Sequence, residues 1–292
     1  MTSQPAAAPS DRGFVFAATS PRYTIMAQRA ARNLRMVMPE AQVDLFTDQD
    51  IDDPVFDQIH KVEHVWHRPK MEAMRRSRFE RTVMLDADLI FLAPVWELFD
   101  ILDRFEFAGC HGNVRRRGMG YADADVPRSF PVINTGVLAL RRTPALTDFL
   151  QRWEDAVRDS EANLDQPTFR RMLYESDLRF VALPVEYNMM HVPALDRREP
   201  KMGAPRILHL MRLDKMEPGD PTQPFDLKEC VEPKIYRHAR RLLTRDWSLK
   251  DQPIGLPRMP AKKKPTAGKA VVSKGKQIKK GLRRRLNRLK SA

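Results

Sequence analysis

The chain has 292 residues, of which 42% are hydrophobic, and a formal net charge of +13; it is long enough to bury a sizeable core as one large α/β domain or two small ones. No apolar run reaches about 18 residues, which excludes a membrane-spanning helix. Two cysteines, Cys110 and Cys230, exclude a disulfide framework or a paired-cysteine zinc motif, and residues 1–10 lack the basic-then-apolar pattern of a secretion signal, so a reducing cytoplasm is expected.

Residues 1–12 read as a flexible N-terminus. The apolar run Phe14-Val-Phe-Ala-Ala18 predicts a strand that enters a turn at Thr19-Ser-Pro-Arg-Tyr23. Met26, Ala30, Leu34 and Val37 recur at helical spacing, so 22–38 is a helix with one face in the core, stopped by Pro39. Segment 41–47 is a second strand and 62–66 a third. Segment 71–79 is a helix leading into Val83-Met-Leu85, a buried strand, with Leu89 to Leu92 as its apolar continuation. Strand, helix, strand, strand, helix, strand argues for an α/β fold with a mostly parallel sheet and helices on its faces.

Asp86 and Asp88 interrupt that apolar run with only Ala87 between them. Residues two apart in an extended backbone point the same way, so both carboxylates face one spot at a strand end. Ligands bind beyond the carboxyl ends of strands in such sheets. Two like charges so close repel, and a hard divalent cation such as Mg²⁺ or Mn²⁺ removes the conflict. The plain alternative is a strand end whose acids cap a helix or meet water.

Further along, 94–100 is a short helix and 105–110 a strand. The polar loop 112–131 is long enough to cover or contact a substrate; its own pair, Asp123 and Asp125, follows no apolar strand and reads as solvated charge. Segment 132–140 is a clear strand, 145–157 and 167–174 are helices, and 180–183 and 206–210 are strands. Segment 220–230 is irregular and 235–243 a terminal helix. The folded domain is expected over 13–248, and 249–292 is expected to be a basic, disordered tail. Residues 261–292 hold thirteen Lys and Arg and no acid, so the basic character belongs to the tail and not to the body. Within the tail, Ile278, Leu282, Leu286 and Leu289 line one helical face over 278–290, a pattern that lies on anionic membrane surfaces; a merely solvated cationic tail accounts for it equally well.

Several motifs occur in an order that resembles the nucleotide-sugar glycosyltransferases of the GT-A fold, above all the retaining family 8 enzymes typified by glycogenin. They are Ala18-Thr-Ser-Pro-Arg-Tyr23, Lys70, Val83-Met-Leu-Asp-Ala-Asp88 with Leu98-Phe-Asp100, Ile133-Asn-Thr-Gly-Val137, Asp165-Gln166, Leu183-Pro-Val-Glu-Tyr-Asn188, and Leu208-His-Leu210 with Lys215. The resemblance implies that Asp86, Asp88 and His209 hold Mn²⁺ or Mg²⁺; imidazole favours Mn²⁺. It implies that Thr19 and Tyr23 hold the nucleotide base and that Asp86-Ala87-Asp88 and Lys215 meet the diphosphate. Met211-Arg-Leu-Asp-Lys215 departs from the family's glycine-containing run there, which makes Arg212 an alternative cation. By the same resemblance Lys70, Asn134 and Thr135 would hold the donor sugar, Asp165 and Gln166 would line its reacting face, and Asn188 would belong to the same wall or serve as a structural cap. The expected activity is transfer of a hexose from a nucleotide sugar, a UDP-sugar first, to a glycan, lipid-linked or protein acceptor with retention. Asp165 is either nucleophile or positioning group.

Two other readings compete. Asp86-Ala-Asp-Leu-Ile90 also resembles the opening of haloacid-dehalogenase-type phosphatases, but it lies late in the chain and no Gly-Asp-x-x-x-Asp run follows. The basic tail would suit a nucleic-acid binder, yet it has no aromatic residue to stack bases.

Overall fold

The structure is a computed structural model that describes residues 11–66, 68–112, 114–115, 117–159 and 165–258. The readings made for 1–10 and for the tail from 259 onward lie outside the described residues.

The first strand, β1 (Arg12–Ala18), alternates its side chains across the sheet: Phe14 and Phe16 enter one apolar cluster and Val15 the other. Helix α1 (Ser20–Val37) follows and buries Met26, Ala27, Ala30 and Leu34. Strands β2 (Val43–Thr47) and β3 (Gln58–Lys61) come next, then α2 (Lys70–Arg76) and β4 (Arg81–Leu85). The expected strand at 62–66 is not one. The strand is the polar Gln58–Lys61 at the sheet edge, where half-exposed side chains carry no apolar signal. Residues 63 and 64 instead donate their backbone N–H groups to the buried carboxylate of Glu72.

Beyond a turn, β5 (Leu89–Phe91) does not continue β4. It leaves the main sheet and pairs antiparallel with β9 (Ile207–His209), Leu89 opposite His209. Between them lie α3 (Glu97–Asp100), β6 (Phe107–His111), β7 (Ile133–Arg141), α4 (Pro144–Arg158), α5 (Asp165–Glu175), β8 (Phe180–Leu183) and the short α6 (Val192–Leu195). Thr143 caps α4 by accepting from the Leu146 N–H at 3.1 Å, a contact worth about 1 kcal/mol. The chain closes with α7 (Leu227–Cys230) and α8 (Pro233–Arg245).

The seven-stranded sheet runs β3-β2-β1-β4-β7-β6-β8, and β7 alone is antiparallel to its neighbours. The expected mostly parallel α/β sheet is therefore found. One face packs on α1 and α3, in an apolar cluster that α8 also joins, and the other on α2, α4 and α5 around the fully buried Trp153. Residues 252–258, expected to be disordered, pack on the body: Leu256 is buried and the Gly255 N–H donates to the Leu92 carbonyl at 2.9 Å. No helix among the described residues is long and apolar enough to cross a membrane.

Candidate active site

Asp86 and Asp88 sit in the turn between β4 and β5, not within an extended strand. Their convergence comes from how the turn is tied down. The Asp86 N–H donates to the Gly136 carbonyl on β7 at 2.9 Å, and the Leu210 N–H donates to the Asp88 carbonyl at 2.9 Å. The departure of β5 to pair with β9 is what carries His209 to the carboxylates. His209 Nε2 lies 3.1 Å from Asp88 Oδ1, and ligand atoms of Asp86, Asp88 and His209 all fall within 4.8 Å of one another.

The ring of His209 is oriented from behind. Its Nδ1 lies 3.0 Å from Asn188 Oδ1. Asn188 is fully buried, and its Nδ2 donates to Asn134 Oδ1, which also accepts from the Gly136 N–H. That chain fixes the Asn188 amide with its oxygen towards the imidazole, so Nδ1 carries a hydrogen and Nε2 is the ring nitrogen turned to the carboxylates, which becomes a metal ligand when it gives up its proton. Gly136 makes the approach feasible: a Cβ there would lie 2.4 Å from His209 Cε1.

The three groups shift one another's titration. Burial pushes the Asp88 carboxyl up, but the imidazole beside it outweighs burial and holds it below the usual carboxylate range. Burial would lower the His209 imidazole, and Asp88 and Asp86 overcome this and raise it. Asp214, across the cleft, is raised by burial and by the fields of Asp88 and Asp86. Two carboxylate oxygens and a tautomer-fixed imidazole nitrogen are a donor set suited to a divalent transition metal such as Mn²⁺.

A second network backs the first. Lys70 Nζ donates to Asp86 Oδ1 at 2.6 Å and to the carbonyl and hydroxyl oxygens of Thr135 at 3.2 and 3.4 Å. Thr135 Oγ1 donates to Asp165 Oδ2 at 3.1 Å, and Arg68 lies 3.8 Å from the other Asp165 oxygen. Burial alone would depress the Lys70 ammonium, and the carboxylates of Asp86 and Asp165 outweigh it and raise it.

The cleft has a volume of about 510 Å³, and Thr19, Tyr23, Lys70, Asp86, Ala87, Asp88, Asn134, Gln166 and His209 all line it. Tyr23 is 43% exposed, leaving a ring face open to a ligand. Asp165 is buried behind the wall, not on it, and Thr135 is buried beside it. Lys215 is exposed and absent from the lining; Asp214 and Met211 stand there instead. The turn holding them is strapped by Arg22, which donates to the Asp214 carbonyl at 2.5 Å and to that of Met216. Arg212 faces a neighbouring hollow. No described residue of 112–131 lines the cleft; buried Arg170 gathers that loop by binding the carbonyls of Gly120, Pro127 and Phe130. Asp123 and Asp125 lie near Arg171, at 3.8 and 3.4 Å.

Sequence reasoning did not single out Arg68 or Gly136 as site residues. Arg68 lines the cleft two residues before Lys70, and nothing in the sequence marks it apart from its nearness to Lys70.

The fold is that of the GT-A nucleotide-sugar transferases, and the structural matches are to glycosyltransferases. The glycosyltransferase GlyE of Streptococcus pneumoniae TIGR4 matches with a TM-score of 0.53 and 18% identity over 79% of this chain and 60% of GlyE. The galactosyltransferase LgtC, in complex with donor and acceptor sugar analogues, matches with a TM-score of 0.51 and 14% identity over 79% of this chain and 95% of LgtC. The bifunctional glycosyltransferase WbbM matches with a TM-score of 0.54 and 13% identity over 86% of this chain and 51% of WbbM. This chain thus spans about half to three fifths of GlyE and WbbM and nearly all of LgtC. No protein-family model matches the sequence, and no curated protein does.

Proposed function

We propose that this chain is a metal-dependent glycosyltransferase that moves a hexose from a nucleoside-diphosphate sugar, a UDP-sugar first, to a glycan, lipid-linked or protein acceptor with retention of configuration. The observation that carries the reading is the convergence of Asp86, Asp88 and His209 in one cleft of a GT-A fold. Those three residues would hold Mn²⁺, or Mg²⁺ second, and the bound cation supplies neutralisation of the charge that develops on the departing diphosphate.

The chain's own residues divide the remaining work. Tyr23 and Thr19 take the base at one end of the cleft, where the open Tyr23 ring offers stacking. Arg68 and Lys70 set positive charge beside the carboxylates. Asn134 and Gln166 offer hydrogen-bond groups to sugar hydroxyls. Asp165, tied to Thr135 and Arg68 away from the cleft surface, is read as a positioning group, which favours same-face attack over a covalent intermediate on that carboxylate. A hollow of about 440 Å³ lined by Met190, Pro193, Met211, Val231 and Ile235 shares Met190, His209 and Met211 with the cleft, and is read as the acceptor side. The basic tail is assigned to anionic lipid near a membrane-associated acceptor.

The test is a panel of UDP- and GDP-sugars with Mn²⁺, followed by calorimetry and donor hydrolysis, on wild type and Asp88→Asn. One UDP-sugar should bind and turn over in wild type only. Phosphate release from phosphomonoesters without nucleotide-sugar binding would point to a phosphatase instead.

A further inference from the structure

Helix α8 spends Ile235, Ala239, Leu242 and Leu243 on the core. Its opposite side presents Lys234, Arg237, Arg241 and Arg245, spaced by three and four residues and so aligned along one exposed face. The helix contains no acidic residue. Lys234 is paired with Asp196 at 2.5 Å. Arg237, Arg241 and Arg245 have no hydrogen bond or ion pair among the described residues, so three like charges sit one turn apart with no described partner.

Two further features lie in or just after the C-terminal half of α8. Trp247, two residues after Arg245, is 88% exposed, whereas Trp153 is fully buried and Trp66 and Trp96 are half-buried. Arg240 turns its guanidinium to the carbonyls of Pro257 and Arg258, at 2.5 and 3.1 Å. The last described residues are therefore fastened to α8. Lys234, at the other end of the stripe, lines the hollow beside the cleft.

We propose that the basic face of α8 and the Trp247 indole form a docking surface for an anionic lipid bilayer, made by the folded body itself and distinct from any contact made by the tail. Guanidinium groups attract anionic headgroups, each contributing about fivefold in binding near the surface. An indole is the side chain that settles at the headgroup level, with its ring in apolar material and its N–H in the wet layer. Single-stranded nucleic acid is the weaker occupant, because it asks for several stacking aromatics along a groove. Here one exposed ring stands at one end, and Tyr236 is half-buried under Lys228.

The experiment uses the full chain and vesicles of phosphatidylcholine with or without phosphatidylglycerol, read by co-sedimentation and tryptophan emission. Anionic vesicles should shift the emission to the blue and protect it from acrylamide, and neutral vesicles should do neither. Trp247→Phe should abolish the shift while the protein still sediments through its tail. The triple variant Arg237→Gln, Arg241→Gln, Arg245→Gln, matched to wild type in thermal unfolding, should bind about 10²-fold more weakly and lose the shift. Sedimentation with unchanged Trp247 emission would overturn the proposal, as would absence of sedimentation. So would a shift produced by single-stranded RNA and not by vesicles.

Discussion

Asn188 holds the ring of His209: Nδ1 of the imidazole lies 3.0 Å from the Asn188 side-chain oxygen, on the side away from Asp86 and Asp88. Because the Asn188 amide nitrogen is committed to Asn134 at 2.8 Å, the oxygen has only one way to point. His209 Nε2 is thereby aimed at the carboxylates. Replacing Asn188 by Ala should leave His209 present but untethered and weaken Mn²⁺ binding by about 10- to 100-fold, the usual cost of losing a group behind a metal ligand. Calorimetric titration of Mn²⁺ checks it, and an unchanged affinity would remove Asn188 from the site.

Gly136 should be as sensitive. A methyl group there would meet His209 at 2.4 Å from Cε1 and 2.8 Å from Nδ1, so Gly136→Ala must move the ring. The expected result is a folded protein, destabilised by about 1–3 kcal/mol as for overpacked cores, with a loss of Mn²⁺ affinity like that of His209→Ala. Denaturant unfolding and metal titration on the same sample separate the two effects.

Asp165 is judged by size of effect. As a buried group joined to Thr135 and Arg68, it should tolerate Asp165→Asn with a loss of about 10²-fold in turnover, in keeping with weakening a hydrogen bond to a charged group. A nucleophile would lose on the order of 10⁴ or more. Single-turnover rates with the active donor decide between them.

Stability should fall in acid in a traceable way. Burial pushes Asp246 up, but the Ala204 N–H, Ser248 and Arg206 outweigh it and hold its carboxyl below the ordinary 3.8. Burial likewise opposes, and the N–H groups of Glu63 and His64 with Arg76 overcome, so that Glu72 sits below 4.5. A depressed folded pKa means the unfolded chain binds protons first. The stabilisation is thus complete above the ordinary values and is lost as pH falls through the lower folded ones. Urea midpoints should be flat above about pH 5 and drop below about pH 4, and Asp246→Asn should flatten part of that drop while lowering the midpoint at neutral pH.

Much of the site was legible because chemistry and strand ends coincide. An apolar strand running into Asp86-Ala-Asp88 announced the pair, and the motif order brought His209, Lys70 and Gln166 to the same cleft. The route was not legible. Leu89 to Phe91 read as more of the central strand because burial in either sheet writes the same apolar residues, and nothing local says that the chain has turned away to meet Ile207–His209. Likewise Gln58–Lys61, a half-exposed edge strand, gave way to the more apolar Val62 to Trp66, which are a loop held by Glu72. The antiparallel direction of Ile133–Arg141 depends on connections that periodicity does not encode. Residues 252–258 look like linker by composition, yet Leu256 and the Gly255 N–H find partners supplied by distant parts of the fold.

The central claim is that a cation held by Asp86, Asp88 and His209 grips a nucleotide sugar's diphosphate. Titrating UDP into wild type, Asp88→Asn and His209→Ala, each with Mn²⁺ and again with EDTA, tests it most directly. Tight UDP binding by wild type with Mn²⁺, lost on chelation and in both variants, is the predicted result. UDP affinity that is indifferent to the metal and to both substitutions would contradict the account.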